Sequence, residues 1–272
     1  MDAGGGKWNG AGWIMSVEAQ TKNQEPAVKA VIRQYEPRDR EAVREISCVT
    51  AFRNLGAQSI FEHAEDRELF ADYWSRYYTD FEPESVWVAE QEGKVVGYLF
   101  GCVDSSQFVS TMAWRIVPKI VTRLLWRFLR GKYRQGRSRL FVKWLLLKSW
   151  REAPALPLKT YPAHFHCNIL LQGYNQNLYT NLVLGFLDYL GGLGITHMNG
   201  QLLEPKTKGI YHRILKNYSK THPDWIQFIS EKPTDLGRDV LGVPTEMVNR
   251  AYGFLVADYR LFIQWMAREY RM

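Results

Sequence analysis

The chain holds only three cysteines in 272 residues, and Cys48, Cys102 and Cys167 lie far apart with no metal-ligand spacing. That excludes a disulfide-stapled scaffold and reads as buried thiols in a reducing compartment. No apolar run is long enough to cross a bilayer. Residues 1–28, rich in Gly, Ala, Gln, Asn and Lys, lack the apolar centre of a signal peptide. The expectation is a cytoplasmic protein with a disordered tail over 1–28, a single domain over 29–272, and an alternative start at Met15. There is no Gly-x-Ser-x-Gly, no Walker loop and no dinucleotide fingerprint. Gly191-Gly-Leu-Gly194 follows a helical run and precedes a strand, the reverse order for phosphate binding, so it reads as a helix C-terminal turn. His164-x-His166 has no further ligands at metal spacing, and no metal site is expected.

Acid is also missing from one long stretch. Between Met112 and Glu152 stand twelve Lys or Arg (Arg115, Lys119, Arg123, Arg127, Arg130, Lys132, Arg134, Arg137, Arg139, Lys143, Lys148, Arg151) against Glu152 alone. That stretch carries about +11, which leaves the rest of the chain near −4 within a total of +7. The basic character therefore belongs to one element. Pro118 suits a helix start and Gly131 a helix end. Between them Ile120, Val121, Leu124, Leu125, Phe128 and Leu129 form an apolar face opposite Lys119, Arg123, Arg127 and Arg130. A second amphipathic piece sets Leu140, Phe141, Trp144, Leu145 and Leu147 against Arg137, Lys143 and Lys148. The plain reading is a helical pair packed on the domain with its charges solvated. An anionic membrane surface or an acidic carrier protein, met through residues 112–152, are the alternatives. No recognition motif supports specific nucleic-acid binding.

What is present is a globular composition, 46% hydrophobic and 14% aromatic, in a chain long enough to bury a full core. Val31 to Tyr35 reads as a strand. Pro37-Arg-Asp39 starts a helix with Asp39 as N-cap. Asp66 to Tyr78 is a second helix, with Leu69, Phe70, Tyr73, Trp74 and Tyr77 at helical spacing. Val86–Glu90, a Gln-Glu-Gly93 turn and Lys94–Val103 form a hairpin. His164 to Leu170 is extended and runs through a polar turn, Gln172 to Asn177, into a helix carrying Leu178, Leu182, Val183, Phe186, Leu187 and Leu190. Ile195 to Leu203 reads as a fifth strand, Pro205 to Asn217 as a helix, 219–250 as irregular, and Tyr252 to Ile263 as a late strand.

A strand that meets a helix through a small polar turn leaves the first helical N–H groups unpaired, and these with the helix dipole favour an anion. The segment Tyr161 to Val183 resembles the pyrophosphate loop of the GNAT acyltransferases, whose pattern is Arg/Gln-x-x-Gly-x-Gly/Ala. An ungapped reading sets Tyr174, Asn177 and Tyr179 at the Arg/Gln and the two Gly positions, and keeps the helix in phase. A shifted reading, Gln172-x-x-Asn175-x-Asn177, keeps the Gln and puts Asn at both glycines. The strand–two helices–hairpin order also resembles the start of GNAT domains, so the likeness covers roughly residues 30–105 and 160–220. Lys208-Gly-Ile-Tyr-His-Arg-Ile214 is similar to the family's small/aromatic-Phe-Tyr-x-Arg-Leu stretch, although Leu215-Lys-Asn-Tyr218 stands where Gly-Phe usually follows.

The resemblance implies an α/β fold: a GNAT-like mixed central sheet flanked by helices, with the basic helical insertion, 106–160, before the fourth core strand. It implies an N-acyltransferase-like protein that moves an acetyl or acyl group from acetyl-CoA, or another acyl-CoA, to a small-molecule or protein amine. By resemblance Asn168, Ile169 and Leu170 hold the pantetheine arm and the thioester, and Tyr174, Asn175, Gln176, Asn177, Leu178, Tyr179 and Thr180 face the phosphates. Tyr211 corresponds to the general acid. For the base, His164 and His166 share one strand face, and either is a candidate, His166 first; Glu204, at the end of the fifth strand, is another, and a water relay in place of all three is the alternative. Two other readings stand beside this one. In one, a non-catalytic GNAT-fold protein binds a partner or membrane through the insertion. In the other, an acyltransferase uses a carrier-protein thioester.

Overall fold

In a computed structural model, residues 30–133, 136–170, 177–207 and 209–269 are described. The expected tail, 1–28, lies outside them. Strand β1 (Val31–Gln34) leads into α1 (Arg40–Val49), a short α2 (Ala51–Asn54) and α3 (Ala64–Phe81). The hairpin β2 (Val86–Gln91) and β3 (Lys94–Cys102) follows. Its turn places Glu92 at φ +52° and Gly93 at φ +75°, the left-handed pair that suits a two-residue hairpin loop. The insertion comprises α4 (Ser105–Thr111), a π-helical turn at Met112–Ile116, α5 (Val117–Leu129), α6 (Arg137–Leu147) and α7 (Ser149–Glu152). Then come β4 (His164–Ile169), α8 (Leu178–Gly192), β5 (His197–Pro205) and α9 (Ile210–Tyr218). The chain continues through β6 (Ile226–Thr234), β7 (Met247–Leu255) and α10 (Val256–Glu269).

The strands form two antiparallel sheets, β1-β2-β3-β4 and β5-β7-β6. Among the described residues one parallel bridge, Ala163 to Met198, joins them, with the Asn199 N–H donating to the Ala163 carbonyl at 2.7 Å. Successive side chains alternate across the first sheet. Val86, Val88, Tyr98, Phe100 and Cys102 pack with α1, α3 and the insertion, through Val43, Ile46, Tyr77, Ile116, Ile120 and Leu124. Ala89 and Leu99 pack on the other face against Leu182, Val183, Phe186 and Leu190 of α8 and Phe262 and Ile263 of α10.

Several sequence expectations shift. The helix expected from Pro205 begins at Ile210, because Pro205 closes β5 opposite Met247. The stretch 219–250 contains β6 and the start of β7; the bulge between Phe228 and Ser230 breaks the alternation that marks a strand. The strand expected over Tyr252–Ile263 is the end of β7 followed directly by α10. Asp39 makes no cap bond to α1; its carboxylate accepts from the Glu36 N–H at 2.9 Å and from Arg33. In the insertion, Ile120 and Leu124 are buried, whereas Leu125 and Leu129 face solvent. Arg127, expected on the solvent side, turns inward to Asp66 at 2.9 Å.

Candidate active site

The break between the sheets shapes the site. The register pairs Ile169 with Gly97 and His164 with Cys102 without a bulge, and the Leu170 N–H donates to the Val96 carbonyl at 2.8 Å. Peptide groups alternate along a strand, so His164, His166 and Asn168 bond to β3 while Phe165, Cys167 and Ile169 turn theirs to the opposite edge. Ala163 follows the same parity, and its carbonyl does meet β5. Beyond that bridge, no backbone hydrogen bond joins Phe165, Cys167 or Ile169 to β5 among the described residues. β4 is half-buried along its length, and a free row of N–H and C=O groups on a strand edge suits an extended, amide-bearing ligand. Of the strand residues expected to hold such a ligand, Ile169 has the right parity; Asn168 and Leu170 direct their backbone to β3.

The side chains of β4 divide accordingly. His164, His166 and Asn168 lie on the α3 side. The His166 ring stacks on Trp74, with centroids 5.2 Å apart. Asn168 Nδ2 donates to the Tyr98 hydroxyl at 2.8 Å and stands 3.1 Å from His166 Nε2. Tyr98 in turn meets Ser47 Oγ at 2.8 Å, and Ser47 donates to the Val43 carbonyl at 2.8 Å. An amide nitrogen only donates, so His166 accepts at Nε2 and carries its proton on Nδ1. Burial lowers the His166 imidazole to about 4. His164 has Ser105 Oγ 2.7 Å from Nδ1 and the Tyr78 hydroxyl 3.1 Å from Nε2, and burial, with His166 nearby, lowers it also to about 4. Both rings are therefore neutral over the physiological range.

On the other side of β4 a tyrosine group assembles from three helices. Tyr179, in the first turn of α8, hydrogen-bonds to Tyr259 of α10, and Tyr211 of α9 and Cys167 of β4 lie close enough to act on Tyr179 electrostatically. Burial raises the Tyr179 phenol well above its ordinary value, and raises Tyr259 and Cys167 as well. Leu178 is buried in the core, and Asn177 is the N-cap residue of α8. Thr180 is buried, and its Oγ1 has no hydrogen-bond partner among the described residues. Tyr174, Asn175 and Gln176 lie outside the described residues.

Glu204 stands apart from the histidines. It is buried in a 2.7 Å ion pair with Arg250, which also holds Glu231 and donates to the Lys206 carbonyl. A Glu204 oxygen accepts from the His212 N–H at 3.4 Å, in the first turn of α9 beside Tyr211. Gly209 allows this approach, since a Cβ there would land on the Glu204 carboxyl and meet Arg250 Nη1 at 2.8 Å. No group of His, Cys, Asp and Glu suited to a metal ion occurs among the described residues.

Sequence reasoning missed Asn199, Trp74, Tyr98, Ser105 and Tyr259. Asn199 Nδ2 donates to the Tyr161 and Ala163 carbonyls and to Ser105 Oγ, at 2.8, 3.0 and 3.0 Å, and so pins β5 to the start of β4. A buried Asn in mid-strand, Met198-Asn-Gly200, was a readable signal, because an amide there needs partners.

No protein-family model matches the chain, and no curated protein matches it. Solved structures do. The crystal structure of SsHAT matches at TM-score 0.54 with 22% identity, covering 84% of this chain and 98% of that one. A Drosophila melanogaster polyamine N-acetyltransferase matches at TM-score 0.44 with 14% identity, over 84% and 100%. An acetyltransferase of GNAT family from Streptococcus pneumoniae matches at TM-score 0.38 with 13% identity, over 84% and 99%. The opening strand, helices and hairpin, the fourth strand on the same sheet and the helix that follows it agree with the resemblance carried by the sequence: the chain has the GNAT fold, an α/β architecture with an inserted helical element.

Proposed function

We propose that the protein is an N-acyltransferase that uses an acyl-coenzyme A and an amine acceptor. The observation that carries this reading is the outward edge of β4 at the sheet break, where Cys167 and Ile169 offer N–H donors with no partner on β5 among the described residues. Acyl-coenzyme A would supply an activated thioester carbonyl. The donor set suits it: fixed backbone N–H groups for the amide-bearing arm and carbonyl, and the opening turn of α8, with the unsatisfied Thr180 hydroxyl, for the phosphates.

The remaining roles belong to side chains. Tyr211 stands beside the Tyr179–Tyr259 pair and is the general acid of this reading. Glu204 positions it, because the Glu204–Arg250 pair fixes the first turn of α9. His166 lines the α3 side as a neutral ring held at Nε2 by the Asn168 amide. The wall it shares with Trp74 is aromatic and uncharged, which suits an amine that arrives neutral.

Thermal unfolding with acetyl-coenzyme A tests the reading. A ligand at ~100 times its dissociation constant adds ~2.7 kcal/mol, so a clear rise in the midpoint is expected. Release of free coenzyme A thiol with a panel of amines then tests transfer. Neither a midpoint shift nor thiol release with any acyl-coenzyme A would overturn it.

A further inference from the structure

The insertion presents two apolar faces. One is the buried face of α5, Ile120 and Leu124, packed with α3 and β3. The other faces solvent: Leu125, Trp126 and Leu129, with Trp114 in the π-helical turn just before α5. Trp114 is 82% exposed, Leu129 71% and Trp126 56%. At about 100° per residue, Leu125, Leu129, Thr122 and Trp126 occupy one sector, and Lys119, Arg130 and Arg123 occupy the next. The buried face takes the rest of the circumference. The Arg130 guanidinium lies over the Trp126 ring at 4.3 Å. Downstream the same composition recurs, with exposed Leu140, Leu147 and Trp150 and the Arg151 guanidinium 4.6 Å over the Trp150 ring. Between Met112 and Arg151 there is no acid in the sequence.

We propose that the exposed sector of α5 is a docking surface for an anionic lipid bilayer. The helix has 13 residues, about 20 Å at ~1.5 Å each, and no helix among the described residues is long and apolar enough to cross a membrane. It lies along the interface rather than through it. Trp126 and Trp114 sit at headgroup depth, Leu125 and Leu129 reach toward the acyl chains, and Lys119, Arg123 and Arg130 extend to lipid phosphates. Charge decides against a second copy, since two such faces would bring cations together with no acid to offset them. An acidic protein satisfies the charge too, but exposed tryptophans flanked by Lys and Arg are the side chains that favour the headgroup region of a bilayer. Arg127 takes no part, because it is committed to Asp66 beneath the helix. The inference is independent of acyl transfer.

The test is sedimentation of the full chain with vesicles of phosphatidylcholine, alone or mixed with phosphatidylserine, at low and high salt, with tryptophan emission read in parallel. Binding is expected to require phosphatidylserine, to fall with salt, and to shift emission to the blue. Each surface Lys or Arg contributes roughly fivefold to partitioning. Lys119→Gln/Arg123→Gln/Arg130→Gln is therefore expected to weaken binding on the order of a hundredfold. Trp126→Ser/Leu129→Ser is expected to weaken vesicle binding and reduce the blue shift, with an unchanged melting midpoint showing that the fold is intact. Absence of binding to phosphatidylserine vesicles at low salt overturns the proposal, as does binding that neither variant alters. Capture of polyglutamate without vesicle binding would assign the surface to an acidic protein instead. A concentration-dependent dimer that covers Trp126 would assign it to self-association.

Discussion

Asn168 Nδ2 stands 3.1 Å from His166 Nε2, and the same amide donates to the Tyr98 hydroxyl at 2.8 Å. The run Asn168–Tyr98–Ser47–Val43 then has one direction of donation, and it fixes the His166 tautomer from outside the ring. Replacing the amide by a carboxylate puts an acceptor and a negative charge at that nitrogen. Asn168→Asp should raise the His166 pKa from about 4 by about 1–3 units, as an adjacent opposite charge does. Nitrogen-15 NMR of the imidazoles, titrated between pH 3 and pH 8, reads both points. A wild-type ring protonated on Nε2, or a variant that titrates where the wild type does, would remove the relay.

The two depressed histidines give a sign to the acid dependence of stability. In the unfolded chain both rings titrate near ~6.5; in the folded chain both do so near about 4. Between those values the unfolded chain binds more protons, so stability rises with pH there. Acidification from neutrality toward pH 4 should therefore cost on the order of 1–3 kcal/mol per ring. Urea midpoints measured across that window test this, and His164→Asn should roughly halve the slope whatever it does to stability at pH 7. A wild-type midpoint that is flat from pH 6.5 to pH 4 would show that neither ring is held neutral.

Arg250 and Glu204 are both buried and lie 2.7 Å apart. Removing one partner strands the other's charge, which typically costs ~3–5 kcal/mol. Arg250→Met should approach that value in urea unfolding, and Arg250→Met/Glu204→Gln should recover part of it. If the double variant is no more stable than the single one, the pair is not coupled in this way.

The fold was legible where local pattern and local structure coincide. The β2–β3 hairpin carries its Glu-Gly turn in the sequence, and α8 carries an apolar stripe that packs whole. The end of β7 was not legible, because the boundary falls inside the apolar run Phe254-Leu-Val-Ala257, with no polar or turn residue between Leu255 and Val256. In the candidate site, the pairing of His164 and His166 on one face followed from strand periodicity. Their neutrality did not, because Trp74, Tyr78 and Ser105 reach them from distant parts of the chain. Tyr211 was found through resemblance; Tyr259, which completes the tyrosine group, lies beyond the stretch the resemblance covers.

That tyrosine group allows catalysis to be separated from packing. Tyr211 and Tyr259 both lie near Tyr179, but in the acyl-transfer reading only Tyr211 is a proton donor, while Tyr259 serves the interior by hydrogen-bonding Tyr179. Tyr211→Phe removes one hydroxyl from a half-buried ring. It should lower kcat by roughly 10²-fold or more, the usual scale of general acid catalysis, while the Kd for acetyl-coenzyme A stays near the wild-type value. Tyr259→Phe removes an equivalent hydroxyl and should instead cost about 1 kcal/mol of stability, with kcat within a few-fold of wild type. Steady-state kinetics, calorimetric binding and urea unfolding on the two variants give the comparison. If Tyr259→Phe reduces kcat as much as Tyr211→Phe does, the group acts as one packed unit and Tyr211 has no separate role as the acid.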